Sequence, residues 1–271
     1  MYTVAVDIGG TFTDVVVVDD TSGRTFAGKA LTTPDDLQRG VFDSLADAAG
    51  EVGTDVRDLL GRTGRMVHAT TQSSNAVFAF SGARTAVLAT RGFGDTLLIM
   101  RATGRVAGLS VFERHHYRMT QKPRLLVDER DIFEVPERID YQGRAVQPLD
   151  EAALVDIAAR LRAGGYQAVA IAFLFSHKNA AHERRARDVL ARELPGVYLS
   201  LSSDVAPVMG EYERSATALF NAYVGPVIES YVKRLEAALR DAGLRQQLLM
   251  MQANGGVATT AQTVPIFTIE S

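Results

Sequence analysis

The chain is 271 residues long, 46% hydrophobic, with a formal net charge of −3 and no cysteine. That length and apolar content suffice for one large or two modest domains around a sizeable core, and the mild acidity gives no electrostatic footprint for nucleic acid. Without cysteine there is no disulfide framework, thiolate metal site or cysteine nucleophile, and five histidines with no H-E-x-x-H leave no zinc signature.

In chain order, Met1 leads directly into an apolar strand pattern, with no signal-peptide core and no later apolar run of membrane-spanning length. The expectation is a soluble cytoplasmic protein with no membrane partner. Residues 7–14 read D-I-G-G-T-F-T-D between two β-rich stretches, which predicts an antiparallel hairpin turning at Gly9-Gly10, where positive φ is tolerated. Two readings of this turn stand side by side. One is an ordinary glycine hairpin. The other is a phosphate cradle, in which loop amides and the hydroxyls of Thr11 and Thr13 donate to phosphate oxygens while Asp7 and Asp14 hold a hydrated Mg²⁺. The familiar G-x-x-x-x-G-K-[ST] loop is absent, as is a G-x-G-x-x-G opening a helix.

A further strand is expected at 25–31. Thr33-Pro34 then marks a helix start, with Leu37, Val41, Leu45 and Ala48 on one face and Gly50 as the stop. A strand at 65–69, a helix at 73–81 and a buried strand at 85–90 form a β-α-β pattern, which predicts parallel neighbours in one sheet. Asp150 reads as the N-cap of a helix with Leu154, Ile157 and Leu161 inward, stopped by Gly164-Gly165 and followed by an apolar strand at 168–175. A helix at 180–194, a strand at 197–201, a long helix at 214–242 and a strand at 248–252 complete the alternation, with a soft boundary at 177–179. Between Arg101 and Pro148 no period is sustained. That stretch carries the charged aromatic cluster 112–117 and reads as a surface excursion or a partner and substrate loop. The plain reading of His115 and His116 within it, as solvated or packed side chains, stands ahead of a metal or acid–base role. Neither an internal repeat of solenoid period nor a low-complexity tract is present.

Several separated motifs carry a resemblance. D-I-G-G-T-F-T-D at 7–14, H-A-T-T-Q-S-S-N-A at 68–76, F-E-V-P-E-R at 133–138, E-Y-E-R at 211–214, N-A-Y-V-x-P at 221–226 and M-Q-A-N-G-G at 251–256 make the chain similar to the hydantoinase A and 5-oxoprolinase family. The resemblance implies an α/β chain of the actin, sugar kinase and Hsp70-like ATPase fold (ribonuclease H-like), here an N-terminal lobe plus the start of the following domain. It divides the chain into an N-terminal hydantoinase/oxoprolinase domain at 1–178, which carries the phosphate hairpin, and the beginning of the hydantoinase A domain at 179–271. Members of the family continue through a glycine-rich stretch to a second D-x-G-G-T-x-x-D, so the expectation is a fragment, a processed form or the ordered part of a longer subunit, weak in ATP binding on its own.

The chemistry the resemblance implies is ATP-dependent. Family members open hydantoin, 5-oxoproline or related lactam rings, or carboxylate ketones as acetone and acetophenone carboxylases do. In each, γ-phosphoryl transfer turns an amide or enol oxygen into a leaving group while Mg²⁺ and loop amides absorb developing charge. The cofactors implied are ATP and Mg²⁺, with Asp7, Gly9, Gly10, Thr11, Thr13 and Asp14 as the nucleotide cradle and Asp7 as the principal metal-side carboxylate. His68, Thr71 and Asn75, at a strand-to-helix junction, are the candidate catalytic residues. For His68 a general base and a packed side chain stand equally; Thr71 and Ser73 read equally as helix caps. Glu211 and Arg214 are either functional or a solvated first turn. Lactam or hydantoin hydrolysis is the first reading and ketone carboxylation the second. The stretches 104–110 and 116–123 look closer to carboxylase-like subunits. A hydantoinase B-like subunit is the expected partner, in a hetero-oligomer acting on a small cyclic amide or ketone. A reading of another class is a non-catalytic assembly or regulatory lobe.

Overall fold

The computed structural model describes residues 1–33, 35–101, 106–116, 118 and 124–269. Pro34, Tyr117 and parts of the stretches 104–110 and 116–123 lie outside the described residues. The chain divides into two compact units, residues 1–81 with 227–271, and residues 82–226.

The first unit opens with three antiparallel strands, β1 (Tyr2–Ile8), β2 (Phe12–Asp19) and β3 (Thr25–Leu31). Their alternation is amphipathic: Tyr2, Val4, Val6 and Ile8 are buried while Ala5 and Asp7 on the other face are exposed. Helix α1 (Leu37–Val52) covers the buried face through Val41, Leu45 and Ala48. It runs past Gly50 and ends at Gly53, whose φ of 84° is the left-handed closure that glycine supplies without strain. α1 lies so close to β3 that a Cβ on Gly28 would stand 2.2 Å from the Ser44 carbonyl oxygen. A short α2 (Val56–Gly61), capped by Asp55, leads to β4 (Thr63–Thr70), parallel to β1, and α3 (Gln72–Phe78) follows.

The second unit holds β5 (Thr85–Thr90), the short helices α4 (Thr96–Ile99) and α5 (Val111–His115), β6 (Ile132–Val135), the small hairpin β7 (Arg138–Ile139) and β8 (Ala145–Gln147), α6 (Glu151–Ala163), β9 (Ala168–Ala172), α7 (Ala181–Glu193), β10 (Tyr198–Leu201) and α8 (Ser202–Val205). Four of these strands form an all-parallel sheet in the order β10-β9-β5-β6. Its central strands β5 and β9 are buried at every position, as a sheet covered on both faces requires. Leu154, Ile157 and Leu161 of α6 and Val189 and Leu190 of α7 pack on Leu88, Val169 and Ile171; Ala218, Leu219 and Ala222 pack with Val87, Ala168 and Ala170. Asp150 caps α6 as expected, its Oδ1 accepting from Ala153 N at 3.0 Å.

Helix α9 (Glu211–Asp241) contributes its first part to the second unit and the rest, after Pro226, to the first. There β11 (Leu248–Met251) lies parallel to β4 and β12 (Val257–Thr259) antiparallel to β11, giving the six-stranded order β12-β11-β4-β1-β2-β3. The β3-β2-β1-β4-β11 core of this sheet is the ribonuclease H-like arrangement of the expected ATPase lobe.

Three expectations change. β4 and β5 are not sheet neighbours, because both edges of β4 are taken, by β1 and β11. The region 101–148 contributes a parallel strand, β6, rather than only an excursion. Arg214 is 1% exposed, so the first turn of α9 is not simply solvated. No helix among the described residues is long and apolar enough to cross a membrane.

Candidate functional site in the first unit

The β1–β2 turn is short: Ile8 and Thr13 are register partners, leaving Gly9, Gly10 and Thr11 to reverse the chain. Gly9 N donates to Phe12 O at 2.9 Å, and Thr32 secures the loop from the side, its N donating to Thr11 O and its hydroxyl to Gly9 O, both at 2.9 Å. Neither Gly9 nor Gly10 adopts positive φ. What distinguishes them is space: a Cβ on Gly9 would press to 3.1 Å on Phe12 O, whereas one on Gly10 would meet nothing within 4 Å. The N–H groups of Gly10 and Thr11 find no acceptor among the described residues. A solvent-facing loop with two free amides and no side chain in the way is an anion-receptive surface.

Thr13 does not join that surface. It is fully buried and its hydroxyl meets that of Thr32 at 3.2 Å, so it braces the hairpin from below. The carboxylates stand beside the loop on the exposed face of the sheet, where Ala69, Asp7, Asp14 and Lys29 form one cross-strand row. Asp14 is paired with Lys29 Nζ at 2.7 Å. Asp7 has no partner among the described residues, and desolvation, with the Asp14 charge second, holds its carboxyl above the usual range.

The strand-to-helix junction sits at the same end of the sheet. Thr71 donates from both N and Oγ1 to Ile8 O at 3.3 Å, and Asn75 Nδ2 donates to Thr71 Oγ1 at 3.2 Å. Thr71 occupies the N-cap position of α3 without a side-chain cap bond, and the Ser73 hydroxyl meets Thr268 Oγ1 at 2.6 Å instead of capping. His68 lies elsewhere. It faces the core beside Val6 with 0% exposure, Nδ1 at 3.3 Å from Val6 O and Nε2 at 2.7 Å from the Tyr231 hydroxyl. Because a carbonyl only accepts, Nδ1 carries the proton and Tyr231 donates to Nε2. Burial lowers the imidazole pKa to about 4, so it is neutral.

These motifs hold together as a family signature. A family profile described as the hydantoinase/oxoprolinase N-terminal region matches residues 3–194, and one described as hydantoinase/oxoprolinase matches residues 214–271. The chain belongs to the hydantoinase/oxoprolinase family. It is 33% identical over 266 residues to the acetophenone carboxylase gamma subunit of Aromatoleum aromaticum, covering 95% of this chain and 36% of that protein. The nucleotide-free structure of acetone carboxylase superposes with a TM-score of 0.90 at 27% identity, over 100% of this chain and 39% of that one. The ATP-dependent caprolactamase of Pseudomonas jessenii does so with a TM-score of 0.86 at 31% identity, over 96% and 36%. The chain thus spans little more than a third of these relatives' lengths.

The sequence reading named M-Q-A-N-G-G only as a motif of the hydantoinase/oxoprolinase family and assigned it no place beside the hairpin. Because Met250 of β11 lies beside His68 of β4, the loop after β11 leaves the sheet at the same end as the Thr71 turn. Its Asn254 side chain accepts from Gly256 N at 2.9 Å, shaping a tight turn through Gly255, whose φ is 82°. The signal was the Asn-Gly-Gly of M-Q-A-N-G-G, a turn dipeptide with a mechanism. No cluster of three or more metal-ligating side chains occurs among the described residues, the His115–His116 pair included.

Proposed function

We propose that the hairpin at 7–14 receives the phosphates of ATP, and that the chain is the N-terminal part of an enzyme subunit that activates a cyclic-amide carbonyl by phosphoryl transfer. The observation that carries this reading is the pairing of two free loop amides, Gly10 and Thr11, with a partnerless Asp7 at the same strand end. Asp7 fits the metal side of a Mg-nucleotide: its pKa is raised by desolvation first and by the facing Asp14 charge second, and a cation would favour its charged form. Mg²⁺, when bound, supplies positive charge against the phosphates and the oxygens that gain charge in transfer. Asp14 serves as its outer neighbour, already neutralised by Lys29. Thr71 and Asn75, at the same end of the sheet, are the side chains we assign to orient a substrate oxygen; His68 and Thr13 hold the frame.

The second reading, ATP-dependent carboxylation of a ketone, is supported by the likeness to acetophenone and acetone carboxylases. Relatives bear subunit names, which supports a hetero-oligomer, with a hydantoinase B-like subunit as the partner we propose. We place the reaction in the cytoplasm, where ATP is supplied. The test is calorimetric titration of MgADP and MgATP into the wild-type chain and Asp7→Asn, followed by ADP release with the B-like subunit and either caprolactam, 5-oxoproline and hydantoin or acetone and acetophenone with bicarbonate. Nucleotide binding that ignores Asp7→Asn refutes the cradle; stimulation by ketones but not by lactams selects the second reading.

A further inference from the structure

All four parallel strands of the second unit end at one edge, and the segments leaving them surround a cleft of about 730 Å³. Phe93 follows β5, Arg138 follows β6, Phe175 follows β9, and Tyr212 stands in the first turn of α9, which follows β10 and the short α8. The chain leaves β5 for β6 on one side and returns to β9 on the other, so this edge is a topological switch point, where open parallel sheets place ligands. Two motifs that the hairpin does not use, F-E-V-P-E-R and E-Y-E-R, meet here.

The charges of the cleft are uneven in their commitments. Arg101 is paired with Glu213. Glu211 acts on the buried Arg214 and the half-buried His177, each of which feels its charge. Arg138 has no carboxylate within ion-pair distance among the described residues, and its guanidinium lies 4.7 Å from the centre of the Phe93 ring. A guanidinium stacked on a ring keeps its edge free for a planar bidentate acceptor. Its backbone is fixed from the preceding residue: Glu137 is buried, receives the Thr90 hydroxyl, and meets His182 Nδ1 at 2.7 Å. Arg101 and Phe175 hold φ values of 50° and 56°, left-handed for residues that are not glycine, and both line the cleft. Such conformations persist where the surroundings over-determine them, and they concentrate at ligand sites.

We propose that this cleft is a second small-molecule site, which binds an organic carboxylate through Arg138 and packs its apolar body between Phe93, Phe175 and Tyr212. A volume of this size suits a small ring or short chain, and the walls are largely apolar with few polar groups to fix orientation. The inference does not rest on the nucleotide reading, because every residue it uses belongs to the second unit.

The experiment is calorimetric titration of sodium benzoate and sodium hexanoate into the 271-residue chain, with benzamide and benzylamine as neutral and cationic controls. At least one carboxylate is expected to bind with a Kd of about 1 mM or tighter, and the controls at least about tenfold more weakly. Arg138→Gln is expected to weaken the carboxylate by about tenfold or more while circular dichroism and MgADP affinity stay at wild-type values; Arg138→Lys, which keeps the charge but not the planar fork, is expected to fall between. Absence of binding by both carboxylates, equal binding of benzamide, or an Arg138→Gln chain that is folded and binds as wild type overturns the proposal. Loss of MgADP binding in Asp7→Asn with benzoate binding retained separates the two sites.

Discussion

Asp7 and Asp14 are direct register partners across the first hairpin, yet only Asp14 has a cation, Lys29 at 2.7 Å. Like charges directly opposite on antiparallel strands destabilise the pair. The fold tolerates this at the end of the sheet where the free amides of Gly10 and Thr11 lie, and desolvation, with the Asp14 charge second, holds the Asp7 carboxyl above its usual pKa. An arrangement that costs stability in the free protein and gains a partner when a cation arrives makes a sharp experimental contrast.

Asp7→Asn therefore moves stability and activity in opposite directions. Removing one of two facing carboxylates is expected to raise the urea midpoint by an amount equivalent to roughly 0.2–1 kcal/mol. In the complete enzyme the same change is expected to lower ATP turnover by about 100-fold or more, as loss of one electrostatic group commonly does. Chemical denaturation and ADP release measure the two. A variant that is destabilised and fully active contradicts both halves.

The two turn glycines separate structure from function. A methyl on Gly10 meets no atom of the chain and no left-handed backbone, so Gly10→Ala is expected to change stability by less than about 0.5 kcal/mol. Any ligand seated on the Gly10 and Thr11 amides would meet that methyl, so nucleotide affinity is expected to drop about tenfold. Gly9→Ala instead presses on Phe12 O at 3.1 Å and is expected to destabilise the hairpin itself. Thermal melts with and without MgADP distinguish the pair: the ligand-induced rise in Tm shrinks in Gly10→Ala at an unchanged apo Tm.

Much of this was legible locally. Turn residues and apolar alternation located the hairpin, α1, α6 and the long helix within a few residues, because each depends on neighbours in sequence. What stayed hidden is non-local. That β4 and β5 enter different sheets depends on β11, which arrives some 180 residues after β4 begins and closes its free edge. His68 is polar in a strand whether it serves a substrate or the core; only Val6 O and Tyr231, the latter brought by a helix far along the chain, decide it. Arg214 in E-Y-E-R likewise looks like a first-turn surface residue until Ser176, Ser202 and Phe173 are seen to enclose it.

The His68–Tyr231 pair makes stability pH-dependent with a defined sign. The folded imidazole has a pKa of about 4, below the ordinary histidine value of about 6.5, so between these values the unfolded chain binds the extra proton. Stability from this residue is fully present above about pH 6.5 and is lost as pH falls toward 4, by an amount of order 3 kcal/mol. His177, also lowered by burial, adds in the same sense. His68→Leu is expected to flatten the pH dependence of the urea midpoint between pH 7 and 4.5, and Tyr231→Phe, which leaves Nε2 without its donor, to cost about 1–3 kcal/mol at pH 7.5. An unchanged slope in His68→Leu rules out the buried neutral imidazole.

The second unit offers a test of coupling through one hydroxyl. Arg214 Nη1 donates to Ser202 Oγ at 2.9 Å, and Ser202 Oγ donates to Glu183 Oε1 at 2.6 Å, so two buried opposite charges share a single serine. Glu183 also receives Phe173 N and Ser203 N at 2.8 Å, while Arg214 gives a bond back to Phe173 O. The network holds the β9 exit against the start of α9. Arg214→Met is expected to cost about 3–5 kcal/mol, because it leaves the buried Glu183 side chain without its counter-charge. Ser202→Ala removes only the relay and is expected to cost about 1–3 kcal/mol. Since the damage in Arg214→Met is largely the stranded carboxylate, adding Glu183→Gln to it is expected to cost less than the sum of the single changes, by about 1 kcal/mol or more. Strict additivity in urea denaturation of the double-mutant cycle means that the two charges do not communicate through Ser202.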